Sequence, residues 1–433
     1  MLNVKKLVHL TENTDPSFSF GATWREQLGI YEEVNPKTKQ RRRRFDVAKG
    51  SVDPHSVSLQ EIDMAFGEAI GWRGEYGKWS ASDFKLRGHL TEAAVLPSTF
   101  AHISGFDQTI AGLLDALVLE AYDDPMFIGK ELIGEQTWAV NGGKKIRVAN
   151  DGQLMGETQI GMPLPEVGLK EYWITLPVNK RYGNQLSINK LDFVFDRTGQ
   201  VQSAAEASGK AVAYEIENII AAGVMGITNP FIANDVAGAT YLAAAGTNPH
   251  NFKNWEDDTL VDWNNLNTAY VTMQSNTDPN TGFPIVVPAP MVLCSPQKYY
   301  HTRSILFPTM VQEYSAAIGA ASTRSTYGNP IPDMGVNSIR SFGMIWYNKL
   351  IAAAALGGGA YTSGNAQKVY FLGRPDRAFK WMTIQPFSSW TAPITADDMA
   401  KGISQRHMVE EVGVFTVVEP RYILQSGDTT PTS

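Results

Sequence analysis

The chain has 433 residues, of which 43% are hydrophobic and 10% aromatic, so it can bury a substantial core and is not a disordered protein. Its formal charge of −7 excludes a free-standing nucleic-acid binder, because neutralising phosphates requires a dense basic face. The single cysteine, Cys294, excludes a disulfide scaffold and a cysteine-rich metal site, and its apolar neighbours indicate a small buried hydrophobe.

The first 57 residues are polar and rich in turn-forming residues, which indicates an extended arm with little core of its own. The arm carries one conspicuous run of positive charge: Arg41, Arg42, Arg43 and Arg44. Two interpretations of this run remain open, namely an arm whose charges are solvated or ion-paired, and a patch that contacts DNA or an acidic scaffold. After the arm, Ser58 and Glu61 have the spacing of a capping box and predict a short helix to about Ile70.

An amphipathic helix is predicted from Asp107 to Ala121. Its apolar residues recur at helical spacing and form one stripe: Ile110, Leu113, Leu114, Leu117, Val118 and Ala121. Asp107 is a suitable N-cap. Asp124 precedes Pro125 and predicts the end of the helix, because a residue before proline avoids the α region.

From about residue 137 to residue 195 the pattern changes to short β-type runs. The predicted strands are Lys144–Ala149, Glu171–Val178 and Leu186–Phe195. Gly183 and Asn184 predict a turn. Residues 150–168 have few apolar side chains and many turn residues, so they predict a long loop that becomes ordered against a partner.

The longest predicted helix covers residues 199–226. Small and branched side chains form a stripe along it from Val201 to Ile220. Gly209 lies in its middle, which costs up to roughly 1 kcal/mol unless another element packs closely there. Gly223 and Gly226 predict its end.

The last third of the chain predicts further short strands and one helix. The strands are Phe283–Val287, Met291–Cys294, Ser341–Tyr347, Lys368–Leu372, Met382–Pro386 and Val412–Glu419. Ser295 and Pro296 predict the N-cap and first residue of a helix that ends near Phe307. Residues 427–433 predict a loose tail.

No catalytic, cofactor or metal site is recognisable in the sequence. The seven histidines are scattered, and none has the His-x-x-x-His spacing of a zinc site. No Gly-x-Ser-x-Gly elbow is present, and paired carboxylates such as Asp257 and Asp258 most simply face water. Neither a membrane-spanning apolar run nor a secretory signal is recognised. We therefore expect a structural or binding protein without a cofactor, and not an enzyme.

The order of the predicted elements resembles that of the HK97-type major capsid proteins of tailed bacteriophages. Four segments carry the resemblance: Gly199–Ile220, Pro288–Tyr300, Phe371–Phe379 and Arg406–Ile423. The first is similar to the family's spine helix and the last to its closing strand. The resemblance implies an α+β, HK97-like capsid fold with an N-arm, an extended E-loop, a P-domain with a long spine helix, and an A-domain.

The resemblance also implies a division of the chain into five parts. These are the N-terminal arm (1–136), the E-loop with flanking P-domain strands (137–197), the spine helix (198–228), the A-domain with the P-domain return (229–405), and the closing strand with the C-terminal tail (406–433).

The function that the resemblance implies is a structural head protein that self-assembles into an icosahedral shell around a double-stranded DNA genome. Expected partners are copies of itself in hexamers and pentamers, a portal, and scaffolding or decoration proteins, with non-specific contact to packaged DNA and no membrane. The protein would assemble in the host cytoplasm and reside in the virion.

Two sets of contact residues are expected. Candidate contacts between subunits lie in the E-loop at Gly152, Met155, Ile160 and Leu164. Candidate DNA or scaffold contacts are Arg41 to Arg44. Two alternatives stay open: an encapsulin-like nanocompartment shell with a protein cargo, and an enzyme, such as a hydrolase, whose site is assembled in space.

Overall fold

The structure is a computed structural model of the chain. It describes residues 29–34, 41–46, 49, 97–137, 145–148, 172–175, 177–189, 199–225, 254–256, 258–261, 263–276, 284–307, 311–315, 323–327, 338–351, 366–392, 401 and 403–427. The chain forms two compact units. Unit 1 comprises Met1–Pro125, Arg181–Glu215 and Gln385–Val412. Unit 2 comprises Met126–Lys180, Ile216–Ile384 and Gly413–Ser433.

Helices and strands follow one another irregularly along the described residues, which confirms the predicted α+β class. The helices are α1 (Pro97–Tyr122), α2 (Gly129–Ile133), α3 (Gln200–Met225), α4 (Trp263–Gln274), α5 (Tyr299–Leu306), α6 (Met344–Ile351) and α7 (Pro375–Ala378). The strands are β1 (Ile30–Val34), β2 (Arg41–Phe45), β3 (Glu135–Thr137), β4 (Lys145–Val148), β5 (Tyr172–Thr175), β6 (Lys180–Asn189), β7 (Trp255–Glu256), β8 (Met291–Cys294), β9 (Val311–Ser315), β10 (Thr323–Tyr327), β11 (Ser338–Ser341), β12 (Tyr370–Gly373), β13 (Phe379–Ala392), β14 (Ile403–Val417) and β15 (Ile423–Ser426).

Helix α1 supplies much of the core of unit 1. Every residue of its predicted apolar stripe is at most 5% exposed, so the stripe is confirmed. The helix begins at Pro97 and not at Asp107, because proline fits the first turn of a helix and the residues between them continue it. It ends at Tyr122, directly before the predicted stop at Asp124 and Pro125.

Three glycines allow close approaches of backbone or ring. In unit 1, a Cβ on Gly209 would overlap the carbonyl oxygen of Val118, so α1 and α3 pack closely there, as the mid-helix glycine predicted. In unit 2, a Cβ on Gly223 would overlap the ring of Phe415. Helix α3 continues to Met225, so Gly223 lies within the helix and does not end it as predicted.

The third of these glycines shows that the predicted turn at Gly183 and Asn184 is wrong. Both residues lie within strand β6, and a Cβ on Gly183 would overlap the backbone oxygen of Val409 in β14. The glycine permits two backbones to approach and does not reverse the chain.

A four-stranded sheet has the order β3-β13-β14-β6. β13 and β14 have 14 and 15 residues, and both are longer than the strands predicted at Met382–Pro386 and Val412–Glu419. The additional residues escape prediction because polar side chains interrupt the apolar pattern there, and because a proline such as Pro386 ordinarily indicates a strand end. Pro386 lies past Trp381–Thr383, the three residues that pair in parallel with β3.

The core of unit 2 surrounds a five-stranded sheet with the order β11-β8-β12-β15-β7. β8 is parallel to β11 and antiparallel to β12, and β15 is antiparallel to β12 and parallel to β7. All residues of β12 and β15 are buried, so both faces of the sheet are covered. One face packs against an apolar cluster: Leu260, Leu266, Ala269, Met273, Ile285, Val287, Val292, Cys294, Leu306, Tyr370, Leu372 and Leu424.

Cys294 lies at the end of β8 and is 1% exposed, as its apolar neighbours predicted. Burial raises the pKa of its thiol to about 11. At neutral pH the side chain is therefore a neutral thiol that fills space in the core.

Three predictions in unit 2 are wrong. Ser341–Tyr347 is not a strand, because β11 ends at Ser341 and helix α6 begins at Met344. The described part of Phe283–Val287, residues 284–287, forms no strand beyond one bridge residue. Short apolar runs fit a strand and a buried helix equally well, which explains the error at Ser341–Tyr347.

The third wrong prediction concerns the start of helix α5. The hydroxyl of Ser295 donates to the backbone oxygen of Gln367 at 2.9 Å and so is not used as a cap. The helix starts at Tyr299 and ends at Leu306, close to the predicted end. The predicted helix after Ser58 and the predicted loop 150–168 lie outside the described residues.

Candidate assembly site in unit 1

The arginine run lies in strand β2 of a two-stranded antiparallel sheet. Its register places Glu32 opposite Arg43 and Glu33 opposite Arg42. Opposite charges on paired strands stabilise a sheet by roughly 0.2–1 kcal/mol per pair. We call β1 and β2 together the arm hairpin.

Arg44 attaches the arm hairpin by surface ion pairs. Its Nε lies 2.7 Å from Oε2 of Glu33 in β1, and its Nη1 lies 3.8 Å from Oδ2 of Asp123 just after α1. All three side chains are partly exposed, so water and salt weaken the attraction. Pairs of this kind contribute about 0–1 kcal/mol each.

Arg43 reaches a much more buried partner. Its Nη1 lies 3.9 Å from Oδ2 of Asp115, and the same nitrogen donates to the backbone oxygen of Ser389 at 3.3 Å. The side chain of Asp115 is only 2% exposed. An uncompensated buried carboxylate costs several kcal/mol, so the charge of Arg43 stabilises Asp115 in place.

Asp115 also receives hydrogen bonds from two side chains of the sheet. The hydroxyl of Ser389 donates to its Oδ1 at 2.9 Å, and Nε2 of His407 lies 2.8 Å from the same oxygen. The other ring nitrogen of His407, Nδ1, is buried and has no hydrogen-bond partner among the described residues. We call Asp115, His407, Ser389 and Arg43 the Asp115 cluster.

The Asp115 cluster contains the residue types of a serine-nucleophile triad but not its geometry. In such a triad the histidine accepts the serine hydroxyl's hydrogen bond and donates from its second nitrogen to the carboxylate. Here Ser389 donates directly to Asp115, and His407 faces the same carboxylate oxygen. The hydroxyl of Ser389 is therefore bound to the carboxylate and not to the histidine that would accept its proton in a triad.

A second polar pair lies further along α1. The hydroxyl of Tyr122 donates to Oε2 of Glu411 at 2.6 Å, and the ring of Tyr122 stacks on Phe387 with centroids 3.8 Å apart. Glu411 and His407 lie four residues apart on one buried face of β14. Polar side chains of this face therefore meet α1 along a line that we call the polar seam.

The polar seam is not among the features predicted from the sequence. Asp115 stands between buried Leu114 and Ala116, and a lone carboxylate in such an apolar stretch signals a buried partner. His407 is one of seven histidines scattered along the chain. The alternation of side chains along a strand places Gln405, His407 and Glu411 on one face, and this pattern could have indicated the polar seam.

The predicted E-loop begins as an antiparallel hairpin. β4 pairs with β5 from Lys145 opposite Thr175 to Val148 opposite Tyr172. Residues 149–171 connect the two strands. The candidate subunit contacts in that connection lie outside the described residues: Gly152, Met155, Ile160 and Leu164.

Unit 2 contains its own buried carboxylate, Glu217 in helix α3. Its Oε2 accepts the backbone N–H of Gly129 at 2.8 Å, and its Oε1 accepts the indole N–H of Trp346. Burial raises the pKa of Glu217, although these hydrogen bonds oppose the shift. The side chain links α3 to α2 and α6.

One cavity among the described residues is small for a ligand pocket. A cavity of about 80 Å³ in unit 2 is lined by residues including Cys294, Lys298 and Tyr370, whereas pockets for drug-sized ligands measure roughly 300–1,000 Å³. Among the described residues, no group of three or more histidine, cysteine or acidic side chains could hold a metal ion. None of the helices in the described ranges is long and apolar enough to cross a membrane.

Three of the solved structures that resemble the chain are viral or virus-like shells. The capsid of cyanophage P-SCSP1u shares 12% identity, with 68% of this chain and 86% of that chain covered, at a TM-score of 0.40. The capsid of the Helicobacter pylori bacteriophage KHP30 shares 10% identity over 68% and 87% of the chains, at 0.38. A virus-like particle from Pyrococcus furiosus shares 10% over 72% and 97%, at 0.36. Likenesses with TM-scores this low establish no function for the chain.

Comparison at the level of sequence families is decisive. No curated protein matches the chain. A family model described as "Phage capsid protein" matches residues 175–425, which is more than half of the sequence and includes α3, the sheet of unit 2, β13 and β14. The chain belongs to this family of phage capsid proteins.

Proposed function

We propose that the protein is the major capsid protein of a tailed bacteriophage, which self-assembles into an icosahedral shell around a double-stranded DNA genome and catalyses no reaction. The family match over residues 175–425 carries this proposal. The geometry of the Asp115 cluster is consistent with a structural role, because it anchors charge and does not activate a nucleophile.

The order of elements supports an HK97-like arrangement. In this proposal the hairpin β4–β5 is the base of the E-loop, the 26-residue helix α3 is the spine helix, and β14 is the closing strand. The five parts of the chain proposed from the sequence keep their boundaries: 1–136, 137–197, 198–228, 229–405 and 406–433.

Shell formation requires each copy to contact several others. Interfaces that are individually weak become cooperative in a closed symmetric lattice, because each subunit is held at several places at once. We propose hexamers and pentamers of this chain as the repeating assemblies, together with a portal and scaffolding or decoration proteins. Assembly would take place in the host cytoplasm, and the product would be the virion head.

Negative-stain electron microscopy of the purified full-length chain tests the proposal. We expect closed, uniform particles from the protein alone or with its scaffold. A preparation that stays monomeric at high concentration under both conditions would contradict it. Particles isolated from infected cells should contain DNA; a protein cargo instead would identify an encapsulin-like compartment, which the family match to phage capsid proteins does not favour.

The E-loop contact has its own test. Deleting Gly152–Leu164 should leave a folded, soluble subunit that forms no closed shells, because the loop would contribute contacts to a neighbour and not to its own core. A matched control removes Asp428–Ser433 from the tail and should assemble normally. Normal particles from the loop deletion would contradict the assignment of Gly152, Met155, Ile160 and Leu164 as subunit contacts.

The DNA contact proposed for Arg41 to Arg44 can be tested by replacing part of the run. Arg43 and Arg44 also pair with acidic residues of unit 1, so replacing them would disturb the arm hairpin as well. Replacing Arg41 and Arg42 by Gln should reduce the slope of log K for DNA binding against log salt concentration by up to about 0.9 per lost phosphate contact. Lys401→Gln removes one exposed positive charge outside the run and is the control that should leave this slope unchanged. An unchanged salt dependence in the double variant would contradict the proposal.

A further inference from the structure

Strand β6 is a long strand at the edge of a sheet. The order β3-β13-β14-β6 places it at one end of the four-stranded sheet, and it has 10 residues. The other edge strands of the two large sheets are much shorter, because β3 has three residues, β11 has four and β7 has two. A short edge strand is one of the means by which proteins avoid pairing with other chains. Among these four edges, β6 is therefore the one best suited to accept a further strand.

The sequence of β6 has little of the protection that exposed edges usually carry. Charged side chains and proline hinder pairing at an edge. The charged residues of β6 are Lys180 and Arg181 at its start, and the run Tyr182–Asn189 contains neither a charge nor a proline. Gln185 and Ser187, which lie on the outer face of the strand, are exposed. The middle of β6 thus presents an uncharged and accessible backbone edge.

The chain itself holds β6 in place. The side-chain amide of Asn184 donates to the backbone oxygen of Ser208 in α3 at 3.2 Å, and the hydroxyl of Ser208 donates to the amide oxygen of Asn184. Arg181 pairs with Glu410 in the neighbouring strand β14. A surface that is already ordered loses little conformational freedom when a partner binds to it. The edge is therefore prepared to receive an extended strand.

We propose that β6 pairs antiparallel with β6 of a second copy about a twofold axis, with Asn184 opposite Asn184, so that the four-stranded sheets of two copies continue into each other. A strand edge binds an extended strand through main-chain hydrogen bonds. In a twofold contact both copies contribute the same surface. The inference rests on the proposed assembly of copies and assigns one of its contacts.

The side chains of β6 favour this register. Strand alternation places Tyr182, Asn184 and Leu186 on one face, and residues directly opposite in an antiparallel pair share a face. With Asn184 at the centre, the half-buried Tyr182 lies opposite the half-buried Leu186, and Arg181 lies opposite the uncharged Ser187. A centre at Gln185 would instead place the amide of Asn184 opposite Leu186. The first register therefore pairs apolar with apolar side chains and opposes no like charges.

A disulfide test measures the register directly. The single native cysteine, Cys294, is buried, so a cysteine introduced on β6 is the accessible thiol. Directly opposite residues have Cα atoms about 4.5–5.5 Å apart, within the roughly 4.4–6.8 Å that a disulfide spans. Asn184→Cys in the full-length chain should therefore give disulfide-linked dimers when the thiol oxidant diamide is added, as measured on a non-reducing gel.

Ser187→Cys is the matched control at another exposed residue of the strand. Residue 187 lies opposite residue 181, so the two copies of residue 187 are separated by about 20 Å at roughly 3.4 Å per residue and should not link. Equal amounts of dimer from both variants would contradict the register. Closed shells in which Asn184→Cys forms no dimer would overturn the pairing and leave the capsid proposal standing, whereas linked dimers without shells would do the reverse.

Two charge variants test the same register without changing Asn184. Arg181 is 63% exposed, so it can take a second partner besides Glu410. In the proposed pair, Ser187→Glu places a carboxylate opposite Arg181 of the second copy at two symmetric positions, whereas Ser187→Arg places like charges there. At low salt, Ser187→Glu should lower the protein concentration at which copies associate by about twofold or more, and Ser187→Arg should raise it by a similar factor, as measured by light scattering. Equal thresholds, or the reverse order, would refute the pairing.

Discussion

In unit 2, strands β12 and β15 bury every residue, and one side of them packs into an aliphatic and aromatic cluster, although Gln425 and Ser426 of β15 are polar. In unit 1, helix α1 has an equally buried apolar stripe but meets β14 through Asp115, His407 and Glu411. Apolar contacts are non-directional and insensitive to charge, whereas buried polar contacts stabilise only while each partner is present. Substitutions in the apolar cluster of unit 2 should therefore act through lost packing, whereas substitutions along the polar seam of unit 1 should act through lost hydrogen bonds.

The largest expected effect comes from the apolar core of unit 2. Phe371 is 1% exposed and lies edge-on to Phe342, with ring centroids 6.4 Å apart. Phe371→Ala should lower the free energy of unfolding by about 3–5 kcal/mol, because a buried aromatic leaves a cavity. Guanidinium unfolding followed by fluorescence measures this. Val286→Ala, at a residue 75% exposed, is the control and should stay within about 0.5 kcal/mol.

The next effect concerns the close packing of helices in unit 1. Gly209→Ala should destabilise the protein by about 1–3 kcal/mol, because the added methyl group overlaps the backbone oxygen of Val118. Alanine is otherwise the better helix former, so the sign of the change separates packing from propensity. Ala207→Gly at a nearby exposed position measures propensity alone, at about 1 kcal/mol. A stabilised Gly209→Ala variant would show that the two helices are not in tight contact.

A smaller effect is expected in the polar seam. Tyr122→Phe keeps the ring that stacks on Phe387 but removes the hydroxyl that donates to Glu411. Losing a donor to a buried carboxylate should cost about 1–2 kcal/mol in unfolding free energy. Tyr300→Phe, at a residue 80% exposed, controls for the hydroxyl itself and should be neutral. Equal stability of both variants would mean that Glu411 does not depend on Tyr122.

The smallest effect is a pH dependence in unit 2. Burial raises the pKa of Glu217 above its unfolded value, so its contribution is fully present below the unfolded pKa and is lost as the pH rises through the folded pKa. The loss should stay below about 1.4 kcal/mol per pH unit, the limit for one proton. Denaturant titrations across acidic to neutral pH should show this slope in the wild-type protein and a flatter one in Glu217→Gln.

A contrasting carboxylate provides the control for that slope. Glu131 pairs with Arg340 at 2.5 Å, and the hydrogen bond to Arg340 lowers the pKa of Glu131. Its contribution is therefore present above the unfolded pKa and is lost as the pH falls through the folded pKa. Glu131→Gln should leave the slope that belongs to Glu217 unchanged. A steeper fall of stability with pH in Glu217→Gln than in the wild-type protein would contradict the assignment.

Long periodic segments of the fold were predictable from the sequence. The stripe of α1 and the extent of α3 were found because three or more turns of helical spacing leave little ambiguity. The helix that begins at Met344 was not, because a short apolar run fits a strand and a helix equally well, and only its neighbours in space decide between them.

The Asp115 cluster could not be assembled from the sequence. Ser389 and His407 lie 274 and 292 residues from Asp115 along the chain, and nothing local to any of them indicates the others. Arg43 was singled out by its charge run, but its partner was not identifiable without the fold. The positions of Gly152, Met155, Ile160 and Leu164 remain predictions.

Labelling of the buried thiol of Cys294 can report on the opening of the sheet in unit 2. It is the single cysteine of the chain, and both its burial and its raised pKa suppress reaction with thiol reagents while the sheet is closed. The rate at which such a reagent labels the native protein therefore measures how often β8 and its neighbours open, and no engineered probe is needed. Compared between free subunits and finished particles, that rate would tell how far incorporation into a shell slows the breathing of this sheet.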